Sequence, residues 1–132
     1  MNEIDKLAWL CEKDNHVLCA RSRGKDTYYI PGGKREPGES DHEALIREIK
    51  EELSIDLHPE TIAYAGTFTA QAHDKPDSVF VKITAYFAEF TGAIQENAEI
   101  EEVRWVSDKT SVLCSPVTEI IIDWLKTKEM PK

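Results

Sequence analysis

The sequence predicts an α+β fold, an α/β/α sandwich in which a mixed β-sheet carries one helix on one side and a C-terminal helix on the other. Three observations carry this expectation. Short runs rich in β-branched and aromatic residues recur along most of the chain. An apolar repeat of Leu45, Ile49 and Leu53, with Ile46 alongside, follows Ser40 at helical spacing. A second apolar group, Ile121, Ile122, Trp124 and Leu125, lies near the end of the chain. A length of 132 residues suits one domain, 1–132, and no internal repeat, low-complexity tract or linker divides it.

The elements follow in order. Residues 7–12 and 17–22 are expected strands, joined through the hairpin turn Lys13-Asp14-Asn15-His16. A turn at Arg23-Gly24-Lys25-Asp26 leads to a strand at Thr27-Tyr28-Tyr29-Ile30. Pro31-Gly32-Gly33 ends that strand and opens a loop containing Pro37-Gly38. Ser40 is a suitable N-cap, and Glu43 completes a capping box for the first helix. Beyond it, 62–70 and 78–90 are expected as longer strands, joined by a turn over His73-Asp74-Lys75-Pro76-Asp77. Glu102 to Val106 is a further short strand, and Thr118 to Lys126 is the terminal helix.

Composition narrows the function. The chain is 41% apolar and 31% charged, as in ordinary soluble globular proteins. No apolar run approaches the roughly 18 residues that span a bilayer. Met1 to Lys6 lacks a basic segment followed by an apolar one, so no signal peptide and no membrane partner are expected, and the expected location is cytoplasmic. Cys11, Cys19 and Cys114 lack metal-ligand spacing and are expected as reduced, buried thiols. The net charge of −9 argues against polymeric nucleic acid as a partner. A small phosphorylated nucleotide remains compatible with it if divalent cations reverse the local charge.

The chemistry concentrates in the first helix. Glu48, Glu51 and Glu52 stand at i, i+3 and i+4, which puts three carboxylates on one helical face. Like charges so spaced repel. Either Arg47 and Lys50 offset them on a solvated face, or they hold hard cations such as Mg²⁺ or Mn²⁺, which prefer oxygen donors and leave positions open for phosphate. The preceding segment favours the second reading. From Gly33 the chain runs five residues to Glu39, seven more, then Arg47-Glu48-Ile49-Lys50-Glu51-Glu52-Leu53-Ser54-Ile55. This resembles the signature of the Nudix hydrolases over residues 33–55, with one departure: the late glycine is Ser54. A glycine there suits the left-handed residue that ends a helix, and serine costs on the order of 1 kcal/mol.

The resemblance to small single-domain Nudix hydrolases implies a metal-dependent hydrolase of a nucleoside diphosphate linked to another group. Gly33 (or its neighbour Gly32, through a carbonyl), Glu48, Glu51, Glu52 and Glu99 are then the expected holders of Mg²⁺ or Mn²⁺. Glu51, Glu52 and Glu99 are the catalytic candidates. Gly32, Glu39 and Arg47 are expected to shape the loop. Glu102 is a candidate for pairing with Arg47 or the helix. Arg21, Arg23 and Lys34, with Lys25, lie close to the loop and are expected to steer phosphates. Tyr29 is the substrate-binding aromatic, while Tyr28, Phe68, Phe80, Tyr86 and Trp105 divide between a base-stacking wall and the core. The expectation leans to a nucleoside triphosphate, oxidised bases included. ADP-ribose, nucleotide sugars and dinucleoside polyphosphates are alternatives, as is a Nudix-fold module that binds a nucleotide without cleaving it. A homodimer is also an expectation drawn from the family.

Overall fold

In the computed structural model, residues 2–72 and 78–128 are described, so the turn expected at 73–77 lies outside the described residues. The order is β1 (Asn2–Leu10), β2 (Glu12–Lys13), β3 (His16–Ser22), β4 (Tyr28–Tyr29), β5 (Gly32–Gly33), α1 (Asp41–Leu53), β6 (Asp56–Leu57), a 3₁₀ turn (Pro59–Thr61), β7 (Ala63–Gln71), β8 (Val79–Phe87), β9 (Phe90–Thr91), β10 (Ile100–Val106) and α2 (Pro116–Lys128).

One sheet runs β5-β1-β8-β7, a second runs β10-β3-β2 with β4 on β3, and β6 pairs β9 in a small ribbon. The first sheet is mixed. β1 and β8 run parallel from Asn2↔Val79 to Leu10↔Phe87, and its other pairings are antiparallel. Strand alternation sends successive β1 side chains to opposite faces. Leu7 and Trp9 enter a core with Leu45, Ile49 and Leu53 of α1. Ala8 and Leu10 enter a core with Val117, Ile121, Ile122 and Leu125 of α2. One strand thus serves both layers of the sandwich.

The boundaries differ where tertiary pairing decides them. β1 begins at Asn2 instead of Leu7, because the parallel ladder with β8 recruits the polar residues ahead of the apolar run. The strand expected over 78–90 breaks after Phe87. There the Trp9 indole donates to the Ala88 carbonyl (3.0 Å), and Phe90 and Thr91 turn to pair with β6. Gly32 and Gly33 form a strand opposite Ala8 and Leu7 where a loop was expected. α2 starts at Pro116, ahead of Thr118, since the Ser115 carbonyl accepts from Glu119 N–H at 3.0 Å and proline suits the first helical turn.

α1 begins as its sequence dictates. The Glu43 N–H donates to the Ser40 hydroxyl (3.2 Å) and the Ser40 N–H donates to the Glu43 carboxylate (2.9 Å). It ends on Ser54 in the left-handed region (φ 62°, ψ 30°). The three cysteines are free and buried. Burial pushes the Cys11 and Cys114 thiols up to about 11 and Cys19 higher still, which keeps all three protonated. No described helix is long and apolar enough to cross a membrane.

Candidate active site

The site begins where β5 meets α1. Gly32 has a φ of 152°, and a Cβ there would lie 2.0 Å from the Leu7 carbonyl oxygen. A Cβ on Gly33 would lie 2.4 Å from the Glu48 carboxyl carbon. Both glycines therefore allow close approach, Gly32 to β1 and Gly33 to a carboxylate. Glu48 and Glu52 follow on the inner edge of α1, four residues apart. Burial, then the charge of Glu48, pushes the Glu52 carboxyl up to about 8, while a backbone hydrogen bond from Gly32 and the charge of Lys6 pull the other way. Burial also raises Glu48. Glu52 Oε1 is buried with no hydrogen-bond partner. Burying an unpaired carboxylate oxygen is costly unless a proton or a cation meets it. These residues therefore fit a divalent cation. Among the described residues, no three carboxylate, histidine or cysteine side chains close on one point.

Arg47 fixes the loop around this edge. Its guanidinium donates to Glu39 at 2.6 and 2.9 Å, to the Lys34 carbonyl at 3.1 Å, and to Glu48 and Glu51 at 3.3 Å. The Arg47 hydrogen bonds hold Glu39 down at about 2. Glu39 in turn accepts from the Glu36 N–H at 2.8 Å, closing the loop. Glu51 is more open than Glu48, 54% exposed against 18%.

Glu99 is exposed on the loop before β10, its carbonyl accepting from the Arg23 N–H at 2.9 Å. Burial raises the Tyr29 hydroxyl to about 12, a bond to Ser22 opposes this, and the charges of Glu52, Glu99 and Glu48 all add to it. The structure thus brings Glu48, Glu52, Glu99 and Tyr29 into one electrostatic neighbourhood. Arg23 and Lys34 are exposed, in the β3–β4 turn and just after β5. Arg21 is engaged elsewhere: it donates to the Lys25 carbonyl (2.8 Å), Glu101 (3.2 Å) and Glu102 (3.3 Å) and lies over the Tyr28 ring. Glu102 does not reach Arg47 as one reading of the sequence had it. β3–β10 pairing turns it to Arg21, Arg104 and the Tyr28 hydroxyl.

Sequence reasoning missed the cavity beside these groups. It measures about 320 Å³ and lies among β1, β3, β4, β8 and the start of α2. Ile4, Leu7, Ile30, Val81, Ile83 and Val117 supply apolar wall, and Ser22, Thr27, Tyr29, Ser115 and Thr118 supply hydroxyls. Its charged lining residues are Lys6 and Lys25, with no acid among them, in a chain of net charge −9. Tyr29 is the one aromatic among the lining residues. Tyr28 and Tyr86 are buried, Phe68 packs edge-on to Trp124, Phe80 is half-buried on β8, and Trp105 is exposed. No local signal marks such a cavity, because remote segments assemble it. The nearest clue was Ser115-Pro116, a helix start of recognisable type. A separate cavity of about 310 Å³, between the β2–β3 hairpin and α2, touches none of these residues.

Known proteins resemble this chain in sequence and in fold. The NUDIX domain model matches residues 3–110. The NAD-capped RNA hydrolase NudC of Pseudomonas fluorescens is 35% identical over 102 residues, covering 74% of this chain and 34% of that protein. The chain thus spans about a third of that relative's length. The CTP pyrophosphohydrolase of Escherichia coli is 27% identical over 117 residues, covering 85% of this chain and 82% of that one. The solution structure of the E. coli ORF135 protein superposes with a TM-score of 0.75 at 24% identity, covering 100% of this chain and 96% of the other, and so shares its fold.

Proposed function

The chain belongs to the NUDIX family, and from that premise we propose that it is a cation-dependent pyrophosphohydrolase of a mononucleotide, foremost a nucleoside triphosphate, acting in the cytoplasm. The observation that carries the reading is the buried, unpartnered Glu52 Oε1 beside Glu48. An acid-free cavity of about 320 Å³, lined in part by Gly32 and Tyr29, lies next to this edge. That volume is at the small end for ligand cavities, roughly 300–1,000 Å³, and suits one nucleoside better than two.

Glu48, Glu51, Glu52, Glu99 and the Gly33 carbonyl would hold Mg²⁺ or Mn²⁺. Bound there, the cations would neutralise the diphosphate and make phosphorus more electrophilic. Whichever of Glu51, Glu52 and Glu99 the cations leave free would take the proton of the attacking water. Arg23 and Lys34 meet the outer phosphates, and Tyr29 borders the nucleoside. Arg21, held by Glu101 and Glu102, shapes β3 and β10 instead. Arg47 keeps Glu39, Glu48 and Glu51 in register and touches no substrate. The products are a nucleoside monophosphate and pyrophosphate.

A hydrolysis screen with Mg²⁺ and Mn²⁺ over normal and oxidised nucleoside triphosphates, ADP-ribose, NAD and dinucleoside polyphosphates tests the proposal. Triphosphates are expected to turn over best. A dinucleotide pyrophosphate is the second reading, favoured by the similarity to a hydrolase of NAD-capped RNA. Tight nucleotide binding with no turnover of any compound would overturn both.

A further inference from the structure

The end of α1 is tied to the segment that carries Glu99. Gln95 N–H donates to the Leu53 carbonyl and Asn97 N–H to the Glu52 carbonyl, both at 3.0 Å. The Asn97 side-chain amide donates to the Ser54 hydroxyl at 3.2 Å. On its far side the same segment is held to the turn after β3, where Arg23 N–H donates to the Glu99 carbonyl. Between these anchors, Ile100 N–H donates to the Asn97 carbonyl (3.0 Å) around Ala98, whose φ is 54°.

The main-chain bonds are open to any residue types. The side-chain bond exists only because residue 54 has a hydroxyl. A glycine at this position would relax the left-handed backbone, yet it would have nothing to offer Asn97. Glu99 is exposed, so packing does little to orient it, and the path of its backbone decides where its carboxylate points. Asn97 makes two of the three bonds that tie that path to the end of α1, one main-chain and one side-chain, and Gln95 makes the third.

We propose that Ser54 is a positioning residue: its bond to Asn97 latches the 94–99 loop onto the end of α1 and so fixes the backbone that carries Glu99. The inference rests on the reading above that Glu99 serves the reaction. The left-handed serine trades backbone ease for a hold on the neighbouring loop.

The test uses the full chain with Mg²⁺, taking CTP and an oxidised guanine nucleoside triphosphate as probe substrates. Ser54→Gly, Ser54→Ala and Asn97→Ala should each lower kcat by roughly threefold to tenfold, the worth of one hydrogen bond, with KM within about twofold. Ser54→Gly should melt above Ser54→Ala, since only the first removes the Cβ from a left-handed residue. Turnover then follows the hydroxyl while stability follows the Cβ, a split that a purely structural role does not produce. In a Glu99→Gln background, Ser54→Gly should cause no further loss. Wild-type kcat for Ser54→Gly beside a clear loss for Glu99→Gln would remove the latch and leave the site reading standing. Wild-type turnover for Glu99→Gln would remove Glu99 from the chemistry, and the assignment of Ser54 with it.

Discussion

Glu52 is where fold and chemistry compete within one side chain. Its carboxyl, ordinarily near 4.5, is pushed up to about 8 by burial. The folded protein therefore prefers it protonated. Its favourable contribution is complete below 4.5 and is lost as pH rises through 8. Glu52→Gln removes that dependence. Thermal melts in chelator should show the variant and the wild type alike at acid pH and the variant more stable above pH 8; parallel melting curves at every pH would refute the assignment. Turnover should respond in the opposite sense, falling about 10²- to 10⁴-fold in Glu52→Gln. The sequence marked this residue through its spacing to Gly33 and Glu39, and it marked the Arg47–Glu39 pairing in kind. Its burial was not legible, because Gly32, Lys6 and the β1 edge that surround it come from other elements. For the same reason the partners of Glu102 were open: strand register with β3, and not local pattern, aims it at Arg21 and Tyr28.

Elements were legible where local rules decide them. Ser40 and Glu43 announce the start of α1, and Leu45, Ile49 and Leu53 set its buried face. Ser40→Ala should cost about 1 kcal/mol in chemical denaturation, since it orphans helix N–H groups without touching the site. β5 shows the converse. Two glycines carry no strand signal, and only pairing with Leu7 and Ala8 makes them one. Their substitutions should separate two effects. Gly32→Ala sets a Cβ against backbone and should destabilise the fold, read as a lowered melting temperature. Gly33→Ala meets the Glu48 carboxylate, which can swing aside; it should retain most stability and lose most turnover. Equal losses of stability in the two variants would show that Gly33 serves only the backbone.

Across the whole molecule, the acidic surface and the acid-free cavity divide labour. An acidic chain should bind a triphosphate weakly until cations join it, so Mg²⁺ or Mn²⁺ should raise the melting temperature, and raise it further with nucleotide. A chelator should abolish turnover; activity in its presence would refute cation dependence. The layers of the sandwich were legible from apolar periodicity, but the division of the strands between separate sheets was not. That division depends on which edges meet after the chain has folded back on itself. The β1–β8 ladder also governs how the protein is born. The first strand of the chain has no parallel neighbour until Val79 to Phe87 have been made, and both cores need it. Such a high contact order slows folding. During synthesis Leu7, Trp9 and Leu10 stay uncommitted until the chain has been made through Phe87, so both cores close late.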